Sequence, residues 1–270
     1  MERNRTSVFL CGVLSLTLAS IGDAQGPPVH GAFAYPNEDA GRLLATAEIA
    51  NPEALRAALC TGNRPLTVQF DRRQTESKAS TGRQTARNFG NTAGALFRII
   101  GGSIDSNATC FLTPDSLTPG STAIALTRPA EGARCARGRY AQFETDKGRA
   151  VVACWPIAAS ASGTEIALIE FSRRLTHALA SLVVIDGGRR TYVDYPAEFN
   201  GPGADLWRAD DGGEIHPEGF EVVFLLKRGS SYVVGVSWAG AERVALSLLT
   251  AADSGQFQEV ITDSWYRSPL

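Results

Sequence analysis

The chain has 270 residues, and its 26 Lys and Arg nearly balance its 28 Asp and Glu, so it lacks the electrostatic footprint of a nucleic-acid binder. Beyond the N-terminus no stretch is apolar over the ~20 residues that a membrane-crossing helix needs. That length suits one large all-β domain or two smaller ones.

The N-terminus opens with the basic "MERNR", continues with the apolar "TSVFLCGVLSLTLASIG" and ends in "GDAQG", with Gly22 and Ala24 at the minus-three and minus-one positions of a cut before Gln25. Basic, apolar, small is the layout of a secretory signal peptide, expected over residues 1–24. A lipoprotein reading fails because bulky Leu10 precedes Cys11 inside the apolar run. The expected mature chain is periplasmic or secreted and has no membrane span.

The segment 25–94 reads as a helical segment and a polar linker. "QGPPVHGAFAYPNED" is rich in Pro and Gly. Asn37 then precedes "EDAGRLLATAEIA", with acids in the first turn. Asn51-Pro52-Glu53 reads as N-cap, N1 and N2 of a second helix. Leu55 and Leu59 share a helical face, and Gly62 fits a C-terminal cap. A strand, "PLTVQF", follows this helical pair. "RRQTESKASTGRQTARNFGN" is basic, mixed with acids and poor in large apolar residues, which predicts a solvated connection.

From residue 95 to the end the pattern is that of an antiparallel β domain. Short runs rich in Val, Ile, Phe, Tyr and Trp succeed one another: "ALFRII", "ATCFL", "TAIALT", "RYAQFE", "RAVVACWPIA", "TEIALIEFS", "LASLVVID", "RRTYVDYP", "FEVVFLLKR", "SYVVGVSWA", "ERVALSLLT" and "FQEVITDSWYR". "TDKG", "DGG" and "RGSS" are hairpin-length connections, too short for a crossover helix. In "RRTYVDYP" alternation puts Thr191, Val193 and Tyr195 on one face, with Tyr192 and Asp194 on the other. Continuous runs such as "VVFLL" predict strands covered on both sides. The expected fold class is mainly β: an antiparallel sandwich or barrel-like meander preceded by a short helical pair.

Without Cys11, four cysteines remain. An even number in an exported chain predicts two disulfides, and sequence proximity favours Cys60–Cys110 and Cys135–Cys154. A zinc site would want a close pair such as C-x-x-C, which the sequence lacks.

"GVSWAGAERVALSLLTAA" comes close to the G-x-S-x-G nucleophile elbow of α/β-hydrolases, with Ser237 as nucleophile. Ala239 stands where the pattern has its last Gly, and no His follows Ser237 although the hydrolase order demands one. Ser237 therefore reads as an ordinary strand residue. The three histidines, His30, His177 and His216, form no close pair for a metal, and no Gly-rich phosphate loop is present. No cofactor is expected.

One stretch offers chemistry. "DLWRADDGGEIHPEGFEV" carries Asp210, Asp211, Glu214 and His216 beside Trp207. Its carboxylates could hold calcium, or could serve as acid and base on a glycoside with Trp207 as a stacking platform. The spacing departs from the EF-hand order, and Asp-Gly-Gly followed by His-Pro is turn chemistry leading into a strand. A connection is the favoured reading. Among the tryptophans, Trp155 and Trp238 have apolar surroundings and belong in the core. Trp207 and Trp265 have polar neighbours and are the surface candidates for ligand binding. The functional expectation is an exported, disulfide-stabilised binding or interaction module without catalysis, its partner a protein or a carbohydrate. The alternative is a carboxylate-dependent glycan hydrolase centred on the loop 205–221.

Overall fold

A computed structural model of the chain describes residues 30–114, 120–199, 205–206, 215–240, 243–251 and 255–267. In chain order the strands are β1 (Ala32–Pro36), β2 (Arg42–Ala45), β3 (Ala57–Cys60), β4 (Arg64–Gln74), β5 (Gly94–Gly101), β6 (Cys110–Thr113), β7 (Ser121–Ala123), β8 (Val151–Ala159), β9 (Glu165–Arg174), β10 (His177–Asp186), β11 (Arg189–Phe199), β12 (Asp205–Leu206), β13 (Phe220–Arg228), β14 (Ser231–Ala239), β15 (Arg243–Ala251) and β16 (Phe257–Tyr266), with helix α1 (Tyr140–Lys147) between β7 and β8. The fold is mainly β, and these strands pair antiparallel throughout. The two expected alternatives, barrel and sandwich, occur together. β1–β6 close a barrel in the order β1-β2-β5-β4-β3-β6, and the rest form two five-stranded sheets, β12-β11-β10-β9-β8 and β16-β15-β14-β13-β7.

The sheet containing β13–β16 lies in the middle. One face packs on β8–β11 through Trp155, Leu168, Leu182, Val193, Leu225, Val234 and Trp238. The other packs on the outside of the barrel, with Val223, Phe224, Leu246, Leu248 and Trp265 against Phe33, Tyr35, Leu44, Leu96 and Phe111. This explains the continuous apolar runs: alternate residues of β14 and β15 go to different cores, and both cores are apolar. On β14, Tyr232, Val234, Val236 and Trp238 face the second sheet, whereas Val233 faces the barrel. On β13 a bulge between Val222 and Phe224 lets the adjacent Val223 and Phe224 both face the barrel. Opposite Phe224 stands Gly235, where an added Cβ would lie 2.5 Å from the Phe224 ring. The glycine is there to make room for that ring.

β13 and β14 form the predicted hairpin. Arg228 pairs with Ser231 across Gly229-Ser230, and Gly229 adopts φ 59°, the Gly-first geometry that suits a two-residue hairpin loop. The alternation in β11 also holds: Val193 and Tyr195 enter the inter-sheet core, and Tyr192 faces the opposite side toward α1.

The expected helical pair is not formed. Residues 38–50 make a turn and then β2. Asn37 Oδ1 accepts the Arg42 N–H at 2.9 Å, and Asp39 Oδ1 accepts the Gly41 N–H at 2.9 Å. A short polar side chain can cap a helix or close a turn with the same hydrogen bond, and here it closes the β1–β2 turn. Pro52–Ala54 is a single 3-10 turn that Asn51 does not cap, Leu55 is already extended, and the chain enters β3. Gly62 does adopt positive φ, at 80°, but in the β3–β4 turn. The α-helix of the described residues lies where "RYAQFE" predicted a strand. The run Ala141-Gln142-Phe143-Glu144 has good helix formers, and Gly148 at φ 61° ends it in the left-handed conformation. Phe143 is buried against Phe171, Ile169 and Val183, so α1 covers the outer face of the second sheet.

Both disulfides are formed as expected, Cys60–Cys110 and Cys135–Cys154. The first joins directly opposed residues of β3 and β6 inside the barrel. The second ties the segment before α1 to β8. No helix among the described residues is long and apolar enough to cross a membrane.

Candidate functional site

Of the expected site residues, Trp207, Asp210, Asp211 and Glu214 lie outside the described residues. His216 is exposed and extended, φ −105° and ψ 119°, at the entry to a 3-10 turn, Pro217–Gly219, that leads into β13. That is the geometry expected before proline. Trp265 is not a surface residue. It is fully buried in contact with Tyr35, ring centroids 5.5 Å apart, so its expected place on a ligand-binding surface is corrected. Trp155 and Trp238 are in the core as expected. Among the described residues no group of three or more His, Cys, Asp or Glu is placed to hold a metal.

Ser237 is a strand residue, and no helix follows it: residues 243–251 are β15. Its hydroxyl donates to Glu221 Oε2 at 3.5 Å, and Thr61 Oγ1 donates to the same oxygen at 3.2 Å. Glu221 lies on the barrel side of the central sheet and is held by two hydroxyls. The arrangement is a hydrogen-bonded carboxylate at a sheet–barrel junction rather than a nucleophile beside a base.

The most distinctive feature lies at the end of β16. Arg267, the residue after Tyr266, is half-buried beside the Trp265 ring, its guanidinium carbon 4.8 Å from the centroid. Among the described residues no carboxylate lies within 4 Å of it. Burial holds its pKa below the usual value, and the Glu221 carboxylate opposes that only through space. Tyr35 is in the same position. Its ring is buried between Phe89 and Trp265, and its hydroxyl has no hydrogen-bond partner among the described residues. Burial raises the Tyr35 pKa; the Thr92 hydroxyl and the Arg267 charge oppose the rise without completing a hydrogen bond. A half-buried cation and a buried hydroxyl without a direct partner among the described residues are both costly and mark a place that a ligand can improve.

Arg267 and Tyr35 line a cleft of about 390 Å³ together with Arg87, Gln84, Ser106 and Asn107, and among the described residues its one carboxylate is Glu38. Four parts of the chain converge here: the end of β1, the segment 84–87, the turn 106–107 and the end of β16. The second is pinned to β16 by two hydrogen bonds. The Gln84 N–H donates to the Tyr266 carbonyl at 2.9 Å, and the Tyr266 N–H donates to Gln84 Oε1 at 2.7 Å. The segment expected to be a solvated linker is therefore a folded excursion. Gln74 Nε2 donates to the carbonyls of Phe89 and Thr92, Asn88 Nδ2 donates to the Arg83 carbonyl, and Phe89 enters the core between barrel and sheet.

A second cleft, about 330 Å³, is bounded by Glu131, Glu218, Arg128, Trp155 and Pro217, next to His216. Sequence reasoning missed both clefts. The signals were present in "GRQTARN" and the terminal "SWYR", but 180 residues separate Arg87 from Arg267, and only the docking of the excursion on β16 joins them. No family model, no curated protein and no solved structure matches this chain.

Proposed function

We propose that this chain is an exported, non-catalytic binding module of the cell envelope or exterior, periplasmic or secreted, whose partner is a protein or a carbohydrate. The observation that carries the reading is the Arg267 cleft. It offers cationic and hydrogen-bond-donating groups around a cavity of ligand size, with a single carboxylate and no histidine among its described lining residues. Such a lining holds and orients a ligand; it does not supply the acid–base pair that most hydrolytic chemistry uses. Export is supported by the signal-like residues 1–24 and by two disulfides, which persist in oxidising compartments.

A second reading keeps the glycan hydrolase, because Glu131 and Glu218 border one cleft with Trp155, and Glu218 belongs to the stretch 205–221. Two experiments test these readings. Intact mass of the protein expressed in its own host should give a chain starting near Gln25 with no thiol that reacts before reduction; a retained Met1 overturns export. Incubation with envelope polysaccharides should give binding without new reducing ends. New ends that vanish in a Glu131→Gln, Glu218→Gln double variant establish the hydrolase and overturn the binding module.

A further inference from the structure

We propose that the Arg267 cleft binds an acidic polysaccharide, a polymer of sugar rings bearing carboxylates, with Arg267 as the residue that takes the carboxylate. This rests on the binding-module reading and names its ligand. Arg267 carries a planar fork of donors, half-buried, with no direct carboxylate partner among the described residues. A guanidinium so placed matches a carboxylate bidentately, and partial burial strengthens that bond relative to one in water. Beside it the cleft presents Gln84, Ser106 and Asn107, side chains suited to the hydroxyls of a sugar ring.

A polymer, rather than a single small acid, is indicated by the rim. Arg87 lines the same cleft. Arg83 and Arg243 flank the ring of Tyr266, 5.9 Å and 5.0 Å from its centroid, and that ring is 39% exposed at the end of β16. Four arginines thus lie around one strand terminus in a chain whose overall charge is −2, so the local positive field is not inherited from composition. The pinning of Gln84 to Tyr266 fixes the segment that carries Arg83 and Arg87 relative to Arg267. The backbone that carries these arginines is fixed before a ligand arrives, which lowers part of the ordering cost of binding. Repeated anions spaced along a chain can meet several of these charges at once, and a lone anion meets only one.

The test is calorimetric titration of the disulfide-intact protein with polygalacturonate, with neutral dextran, dextran sulfate and a single-stranded DNA oligonucleotide as comparison arms, at about 0.15 M salt so that exposed charges are screened beyond about 8 Å. Polygalacturonate should bind saturably and neutral dextran should not. Arg267→Gln should weaken binding by at least about 10-fold, in line with removing one side of a partly buried charge pair. Arg267→Lys, which keeps the charge and loses the fork, should fall between the two. Arg87→Gln, at an exposed position, should weaken binding several-fold and flatten its salt dependence. Should Arg267→Gln fail to fold, Arg267→Lys and Arg87→Gln decide alone. Equal binding by wild type and by these variants overturns the proposal. So does equal affinity for polygalacturonate, dextran sulfate and DNA, which is the mark of an unselective basic surface. Binding only to neutral glycan or to a protein overturns the acidic ligand and leaves the binding module standing. Cleavage of the polymer overturns the module itself.

Discussion

Asp263 shows what one side chain costs when the fold serves it badly. It stands on β16 two residues before the buried Trp265, so alternation sends both toward the barrel. Oδ1 accepts the Ser264 N–H at 2.7 Å, while Oδ2 is buried with no hydrogen bond among the described residues. Burial raises the carboxyl pKa above 3.8, with the Ser264 amide and the nearby Trp265 indole pulling the other way. The sign follows from linkage. An acid whose pKa is raised by folding is held more readily in its neutral form, so the native state loses stability as pH rises through the raised value. Asp263→Asn keeps the shape and the bond to Ser264 and removes the charge. The variant should melt about 1–3 °C above wild type at pH 7, a size set by the usual relation between ΔΔG and Tm for a chain of this length. The gap should close as pH falls toward 3.8. Thermal melts from pH 3.5 to 8, in steps of about half a unit, give the curve; a gap independent of pH would show that ionisation is not its cause. Asp263 also explains why Trp265 was misplaced from sequence. A polar neighbour two positions away on a strand shares the tryptophan's face, and here the acid is pulled inward with the indole.

Among the elements, six long strands of the two five-stranded sheets were the most legible, whereas the 11-residue β4 was read only over its first half. β9, β10, β13, β14, β15 and β16 each run nine or ten residues, with β-branched and aromatic residues in phase and turn residues between them. β2 and β3 have four residues each, Arg-Leu-Leu-Ala and Ala-Ala-Leu-Cys, composed of good helix formers. Pairing of β2 with β1 and β5 and of β3 with β4 and β6 makes them strands, and such pairing is invisible to local propensity. The Cys60–Cys110 bond fixes β3 to β6 at one end of that pairing. It closes 50 residues of chain, against 19 for Cys135–Cys154. Loop-closure entropy then assigns about 4 kcal/mol to the first and about 3 kcal/mol to the second. Replacing both cysteines of a pair by Ala should therefore cost more at Cys60/Cys110 than at Cys135/Cys154, by about 1 kcal/mol or more. The barrel interior adds to the difference, because both sulfurs of the first pair are fully buried there. Guanidinium melts of the two double variants decide the order; a larger loss at Cys135/Cys154 would mean that α1 and β8, not the barrel, hold the less replaceable contacts.

At the scale of the molecule, the central sheet joins what could have been two domains. A barrel and a two-sheet sandwich could each fold alone if each owned its sheets. Here β13–β16 supply one wall of the inter-sheet core and, on their other face, the wall that covers the barrel. The candidate cleft depends on the same junction: Trp265 and Arg267 come from the central sheet and the residue beyond it, Tyr35 from the barrel, and Arg87 from the excursion docked between them. β15 puts the idea to a direct test. Leu246 faces the barrel and Leu249 faces the second sheet, three residues apart on one strand, and both are fully buried. Leu246→Ala and Leu249→Ala should each cost about 2–5 kcal/mol, the usual range for emptying a buried leucine site. If the sheet is shared, each variant should lower a single unfolding transition in which barrel and sandwich are lost together. The environments can be read separately: Trp265 reports the barrel side, and Trp155 and Trp238 report the inter-sheet core. Single-tryptophan versions of the two variants, melted in urea, should give coincident curves. Were Leu246→Ala to shift only the Trp265 signal and Leu249→Ala only the other, barrel and sandwich would be separate cooperative units, and the cleft between them would lie on a hinge rather than on a fixed wall.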